Sequence, residues 1–131
     1  MKVSESEIRN ASILIVDDQL SNVELLHALL VDAGYTKIHT TMDPTEVCEL
    51  HRKNSYDLIL LDLQMPVMDG CTLTRNIKQD GRFKGIPVII HSSLTGAANE
   101  GHVKSVGADA YIAKFVAEEL GNTIRSVLAR R

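Results

Sequence analysis

The sequence predicts an α/β domain, a doubly wound five-stranded parallel sheet in the order 2-1-3-4-5 with helices on both faces. Short, continuous apolar runs recur along the chain, and runs of this kind read as strands buried on both faces. Segments with helical spacing separate them, so strand and helix alternate. Such βαβ units close right-handed into a parallel sheet, for which 2-1-3-4-5 is the common five-strand doubly wound order. The length of 131 residues, 44% of them hydrophobic and 24% charged, suits one domain that buries roughly two-thirds of its unfolded surface.

The first strand is residues 12–16 (SILIV), running into Asp17-Asp18. Ser21-Asn22-Val23-Glu24 reads as a capping box for the first helix, with Leu25, Leu26, Leu29, Leu30 and Ala33 at helical spacing and Gly34 as its stop. A weaker strand follows at 37–41. Asp43-Pro44-Thr45-Glu46 starts the second helix, with Asp as cap and Pro in the first turn; it turns Val47 and Leu50 inward and ends near Lys53. Leu58-Ile59-Leu60-Leu61 is the third strand and ends on Asp62. The loop 64–70, with Pro66 and Asp69-Gly70, is turn chemistry before a helix at 72–80. The fourth strand, Pro87-Val88-Ile89-Ile90, passes into His91-Ser92-Ser93. A helix at 97–106 stops at Gly107, the fifth strand occupies 110–113 before Lys114, and a last helix covers 118–129. Residues 1–11 are a polar lead-in and residues 12–131 the domain.

Composition removes several functions. Fourteen basic residues against 17 acidic give a net charge of −3, with no Trp and 4% aromatic residues. Phosphate-neutralising charge and stacking platforms for nucleic acid are therefore both missing. No apolar run reaches the ~18–20 residues of a membrane helix, and the N-terminus is too polar for a signal peptide, so the cytoplasm is the expected compartment. Cys48 and Cys71 lack metal-ligand spacing and read as reduced thiols.

Ligands of open parallel sheets sit beyond the carboxyl ends of the strands. Those ends carry Asp17-Asp18, Asp62, Ser92 and Lys114. Singly, each has a bland reading as a turn, a cap or a solvated charge; together, and in register, they converge on one crevice. At an effective dielectric of ~20 and a spacing of ~5 Å, each pair of carboxylates repels by about 3 kcal/mol. Without a cation at least one acid stays protonated. Oxygen ligands with room for water and phosphate describe Mg2+, and zinc is disfavoured because no cysteine or paired-histidine motif adjoins the cluster. With the metal present, Asp62 serves as a nucleophile toward phosphorus, with Lys114 and the Ser92 hydroxyl on phosphoryl oxygens. The resulting acyl phosphate hydrolyses readily and suits a transient mark.

The segments ILIVDD, LILLDLQMPVMDG, PVIIHSS and GADAYIAKF together resemble the receiver domains of bacterial two-component response regulators, which have the CheY-like, flavodoxin-like fold. The resemblance covers the chain from Ser12 onward. It implies Asp62 as phosphoacceptor, Asp18 as direct Mg2+ ligand, Asp17 acting mostly through water, and the Gln64 backbone carbonyl completing the ligands. It further implies Ser92 as switch hydroxyl, Lys114 as phosphate-binding lysine and Tyr111 as aromatic switch; the plain reading of Tyr111 is a half-buried strand aromatic. The implied donor is a phosphohistidine on a sensor histidine kinase or phosphotransfer protein. The implied output is a changed surface around the helix at 97–106, the last strand and the last helix, presented to a downstream protein as monomer or phosphorylation-dependent dimer. Such a module is regulatory and not a metabolic enzyme. The first half, through Gly70, is most similar to receivers of phosphodiesterase- or phosphatase-type regulators, and the second half to those of CheV-type chemotaxis coupling proteins. Met1 and the polar lead-in fit a true start, and a single-domain regulator acting through protein contacts is expected.

The sequence departs from the family in three places. Phe115 stands where most members have a proline after the lysine. A cis bond before a non-proline costs ~2.5–4 kcal/mol, so Lys114–Phe115 is expected to be trans, with a looser approach of the lysine to phosphate. Ser92 replaces the commoner Thr. His91 occupies a usually apolar position, where it reads as a packed histidine with a ring nitrogen bonded locally, or else as a pH sensor. Rival functions on this fold lack their motifs. There is no phosphate loop for a flavin after the first strand and no GxGxxG for a dinucleotide. Gln64 stands where a haloacid-dehalogenase phosphatase carries its second acid. The remaining alternative is a degenerate receiver that acts as a phosphorylation-independent interaction module.

Overall fold

The computed structural model describes residues 8–62, 70–79, 85–92, 105, 107–113 and 117–129. Strands β1 (Ser12–Val16), β2 (Lys37–Thr41), β3 (Leu58–Asp62), β4 (Val88–Ser92) and β5 (Ala110–Ala113) alternate with helices α1 (Leu20–Asp32), α2 (Val47–Asn54), α3 (Gly70–Gln79) and α4 (Ala117–Ala129). All four strand pairings are parallel and the order is β2-β1-β3-β4-β5, as the sequence predicts. Of the helix expected at 97–106, only Ser105 lies among the described residues, and it is helical.

The period-two alternation of strand side chains splits the apolar runs between two cores. Leu14, Val16, Ile59, Leu61, Val88 and Ile90 pack with Val47 of α2 and with Leu73 and Ile77 of α3. Ile13, Ile15, Leu58, Leu60, Ile89 and Ile112 pack on the other face with Leu26 and Leu30 of α1 and with Leu120 and Ile124 of α4. Both faces are thus covered, which is why β1 and β3 read as unbroken apolar runs. Each fully buried Leu or Ile contributes roughly 1.5–3 kcal/mol relative to exposure. Ile8 and Ala11 of the lead-in join the second core.

Helix ends show where local sequence signals held and where they were overridden. At the end of α1, Gly34 has φ +102°. Its N–H donates to the Val31 carbonyl at 3.0 Å and the Tyr35 N–H to the Leu30 carbonyl at 3.1 Å, the paired bonds of a Schellman stop. At its start the capping box does not form. The cap is Gln19, without a side-chain cap bond, and Ser21 lies inside the helix. The expectation is corrected because Asp17, fixed by the end of β1, takes the capping role: its Oδ1 accepts the Gln19 N–H at 3.0 Å. Asp43 does cap, its Oδ1 accepting the Thr45 N–H at 2.9 Å and the Thr45 hydroxyl at 2.6 Å, ahead of a 3-10 turn at Pro44–Glu46 that leads into α2. Asp43 is held below the usual carboxylate range by those two bonds.

Candidate functional site

The carboxyl ends of β1, β3 and β4 form one rim. Val16 pairs with Leu61 and Asp62 with His91, so Asp17, Asp62 and His91 fall in one row across three adjacent strands. Their parity is that of Ile15, Leu60 and Ile89, which lie in the core beneath α1 and α4. All three side chains are buried, Asp17 at 0%, Asp62 at 3% and His91 at 0% exposure. One ligand atom from each lies within 4.8 Å of the other two. Asp17 is further held by its bond from the Gln19 amide and by Asn22, whose Nδ2 donates to Oδ1 at 3.5 Å. The start of α1 therefore fixes one wall of the pocket.

Asp18 lies beside this row and outside the compact trio. It is partly exposed, but its Oδ1 is buried with no hydrogen-bond partner among the described residues. A buried carboxylate oxygen without a donor is costly in an apolar setting. A cation bound at this rim would satisfy it.

Two carboxylates this close repel by about 3 kcal/mol at an effective dielectric near 20. A hard divalent cation offsets that repulsion, and the donor set of Asp17, Asp18 and Asp62 oxygens fits Mg2+, which takes few carboxylates and keeps several waters. Chemically, the arrangement provides a buried, oriented carboxylate in Asp62 and neighbouring oxygens that can hold a counter-charge beside it.

Other residues singled out from the sequence divide as follows. Tyr111 is half-buried. It pairs with Ile90 and packs against the core that faces α2 and α3, opposite the face that carries the acids. Ser92 ends β4 and pairs with Ala113, but its hydroxyl lies outside the described side chains. Gln64, Lys114, Phe115 and the Lys114–Phe115 peptide also lie outside the described residues.

His91 is the residue that sequence reasoning underrated. Its place next to Asp62 is a consequence of strand register. The signal available in the sequence was its position, one residue before the serine at the end of a strand that ought to neighbour β3.

The family described as response regulator receiver domain matches residues 13–125. Among individual proteins, the chain is 33% identical over 118 residues to the polar-differentiation response regulator DivK of Brucella anthropi, covering 89% of this chain and 95% of DivK. It is 37% identical over 105 residues to the response regulator PleD of Caulobacter vibrioides, covering 80% of this chain but 23% of PleD. Its fold matches a chain from the CheX–CheY–BeF3–Mg2+ complex of Borrelia burgdorferi with a TM-score of 0.81 at 28% identity, covering 89% of this chain and 88% of the other. Among the described residues no helix is long and apolar enough to cross a membrane.

Proposed function

The chain belongs to the response regulator receiver family, the switch domains of two-component phosphorelays, and from that premise we propose that Asp62 is its phosphoacceptor. The observation that carries the proposal is the buried row in which Asp62 sits within 4.8 Å of a second carboxylate, Asp17, at the carboxyl rim where an α/β sheet binds its ligand. Side chains of Asp17, Asp18 and Asp62 and the Gln64 carbonyl would hold Mg2+. When bound, the ion supplies the positive charge that lets carboxylates and a phosphoryl group share one pocket. The relative in the Borrelia complex was obtained with BeF3 and Mg2+, which supports the same chemistry here.

The donor is a phosphohistidine on a sensor kinase or phosphotransfer protein. An Asp62 carboxylate oxygen attacks phosphorus, a P–O bond forms as the P–N bond breaks, and the imidazole leaves. Burial of Asp62 limits water around its carboxylate, and positioning and charge do most of the catalysis. Lys114 and the Ser92 hydroxyl take two phosphoryl oxygens. Ser92, drawn toward the group, frees space for Tyr111, and the altered surface around the helix expected at 97–106, β5 and α4 selects a downstream protein. The receiver comprises residues 12–131 and works in the cytoplasm, as monomer or phosphorylation-dependent dimer.

The test is incubation with acetyl phosphate and Mg2+, followed by intact-protein mass measurement. The wild type gains one phosphoryl group and Asp62→Asn gains none. An unlabelled wild type would leave the phosphorylation-independent interaction module as the better reading.

A further inference from the structure

We propose that His91 is a nitrogen donor to the cation site at this rim, so that the site is a mixed oxygen–nitrogen centre that favours borderline divalent cations such as Co2+ and Ni2+ over what carboxylates alone would select. The inference rests on the acidic pocket being a cation site and concerns what His91 adds to it.

Three observations carry it. His91 is fully buried, as are Asp17 and Asp62, and the three present ligand atoms within 4.8 Å of one another. Register fixes the placement: Asp62 and His91 are direct partners across β3 and β4, so the imidazole faces the rim whenever the sheet forms. Independently, Asp18 Oδ1 is buried with no hydrogen-bond partner among the described residues, an oxygen that a cation at this rim would satisfy.

The chemistry follows from donor type. On an ion with ligand bonds of about 2.1 Å, three donors spread evenly around it stand about 3.6 Å apart and neighbouring octahedral donors about 3.0 Å, so a trio whose separations reach up to 4.8 Å seats one when its widest separation closes by roughly 1–2 Å. Carboxylate and water suit Mg2+, whereas imidazole raises affinity along the series from Mn2+ to Cu2+ and does little for Mg2+. An apolar residue at position 91 would leave an all-oxygen centre. With His91 the rim resembles the two-carboxylate, one-imidazole sets that hold transition metals. Metal identity then becomes a property of this chain, set by one side chain that neither accepts nor binds the phosphoryl group.

The experiment compares wild type, His91→Val and His91→Gln by titration with Mg2+ and with Co2+, circular dichroism checking that each variant is folded. The expected result is a Co2+ affinity that falls by about tenfold or more in both variants while Mg2+ affinity stays within about twofold. The visible absorption of the Co2+-loaded protein should change with it. A second readout needs no variant: pulsed electron paramagnetic resonance of the Mn2+-loaded wild type should show coupling to a directly bound nitrogen. If Mg2+ binds but the nitrogen coupling is absent and both variants keep the wild-type ratio of Co2+ to Mg2+ affinity, His91 is no ligand and the acidic site stands without it. If no cation binds in any form, the acidic site itself fails, and the inference falls with it.

Discussion

At the amino-terminal edge of the sheet, Asp57 and Asp109 repeat one device. Asp57 stands one residue before β3; its N–H donates to the Ser12 carbonyl at 2.7 Å and its Oδ2 accepts the Ser12 N–H at 2.8 Å. Asp109 stands one residue before β5 and does the same with Val88, at 2.8 Å for each bond. Lys78 of α3 completes the second clamp, its Nζ meeting Asp109 Oδ2 at 3.0 Å and the Ile86 carbonyl at 2.7 Å. At the carboxyl-terminal edge, Asp17 and Asp62 face one another beside an imidazole. One edge uses aspartate to satisfy backbone donors where neighbouring strands begin. The other gathers it against its own kind. The difference teaches that neighbours set the carboxylate's role: with strand-end amides as its partners it is a staple, and with a second carboxylate beside it, as at Asp17, which also accepts the Gln19 amide, it makes a site in need of a cation.

That contrast can be broken experimentally. The largest expected effect is at the carboxyl edge, where Asp62→Asn should abolish labelling by acetyl phosphate, while Asp57→Asn should leave labelling intact. Loss of labelling in both would mean the two edges are not functionally separate. Next in size, Asp57→Ala and Asp109→Ala each strand a strand-end amide and should lower unfolding free energy by about 1–3 kcal/mol in urea titrations. Asp109→Ala should be the more costly, since Lys78 loses its carboxylate partner as well and keeps only the Ile86 carbonyl of the two. A smaller effect of opposite sign sharpens the point. In Mg2+-free buffer, Asp62→Asn removes a like-charge contact and should raise stability by about 1 kcal/mol, a fraction of the ~3 kcal/mol pair repulsion once solvent and neighbours respond. A drop in stability there would show that Asp62 too acts as a staple.

The smallest effect is a pH dependence near the amino edge. His51 Nδ1 accepts the Tyr56 N–H at 3.0 Å, which requires the neutral ring. Burial pushes its pKa below the usual histidine value, partly opposed by Asp57. A histidine whose folded pKa is depressed binds fewer protons folded than unfolded just below pH ~6.5, so its contribution is present above that pH and declines as acid is added. Wild-type stability should therefore fall more steeply than that of His51→Gln between about pH 6.5 and 5. Equal slopes would remove His51 from the account.

Much of the site was legible because its residues sit at strand ends, and strand ends are marked in the chain by where apolar runs stop. Asp17 and Asp62 were found in that way. His91 stands out in the sequence as a histidine at a usually apolar position, but its place beside the acids follows only from its pairing with Asp62 across β3 and β4. The Asp57 and Asp109 clamps were missed for a related reason. Their bonds span 45 residues between Asp57 and Ser12 and 21 between Asp109 and Val88, and an aspartate before a strand reads locally as a turn. The capping box at Ser21 erred in the other direction, a sound local motif displaced when the end of β1 delivered Asp17 to the helix start.

By itself, then, the sequence determined the order of strands and helices, the parallel sheet and the gathering of acids at one rim. Those follow from short-range apolar periodicity and from the handedness of βαβ units. Only the tertiary structure decided which carboxylates touch, which ones staple backbone and that an imidazole joins them. Register between strands is fixed by packing across the whole sheet, and no local stretch of residues carries it.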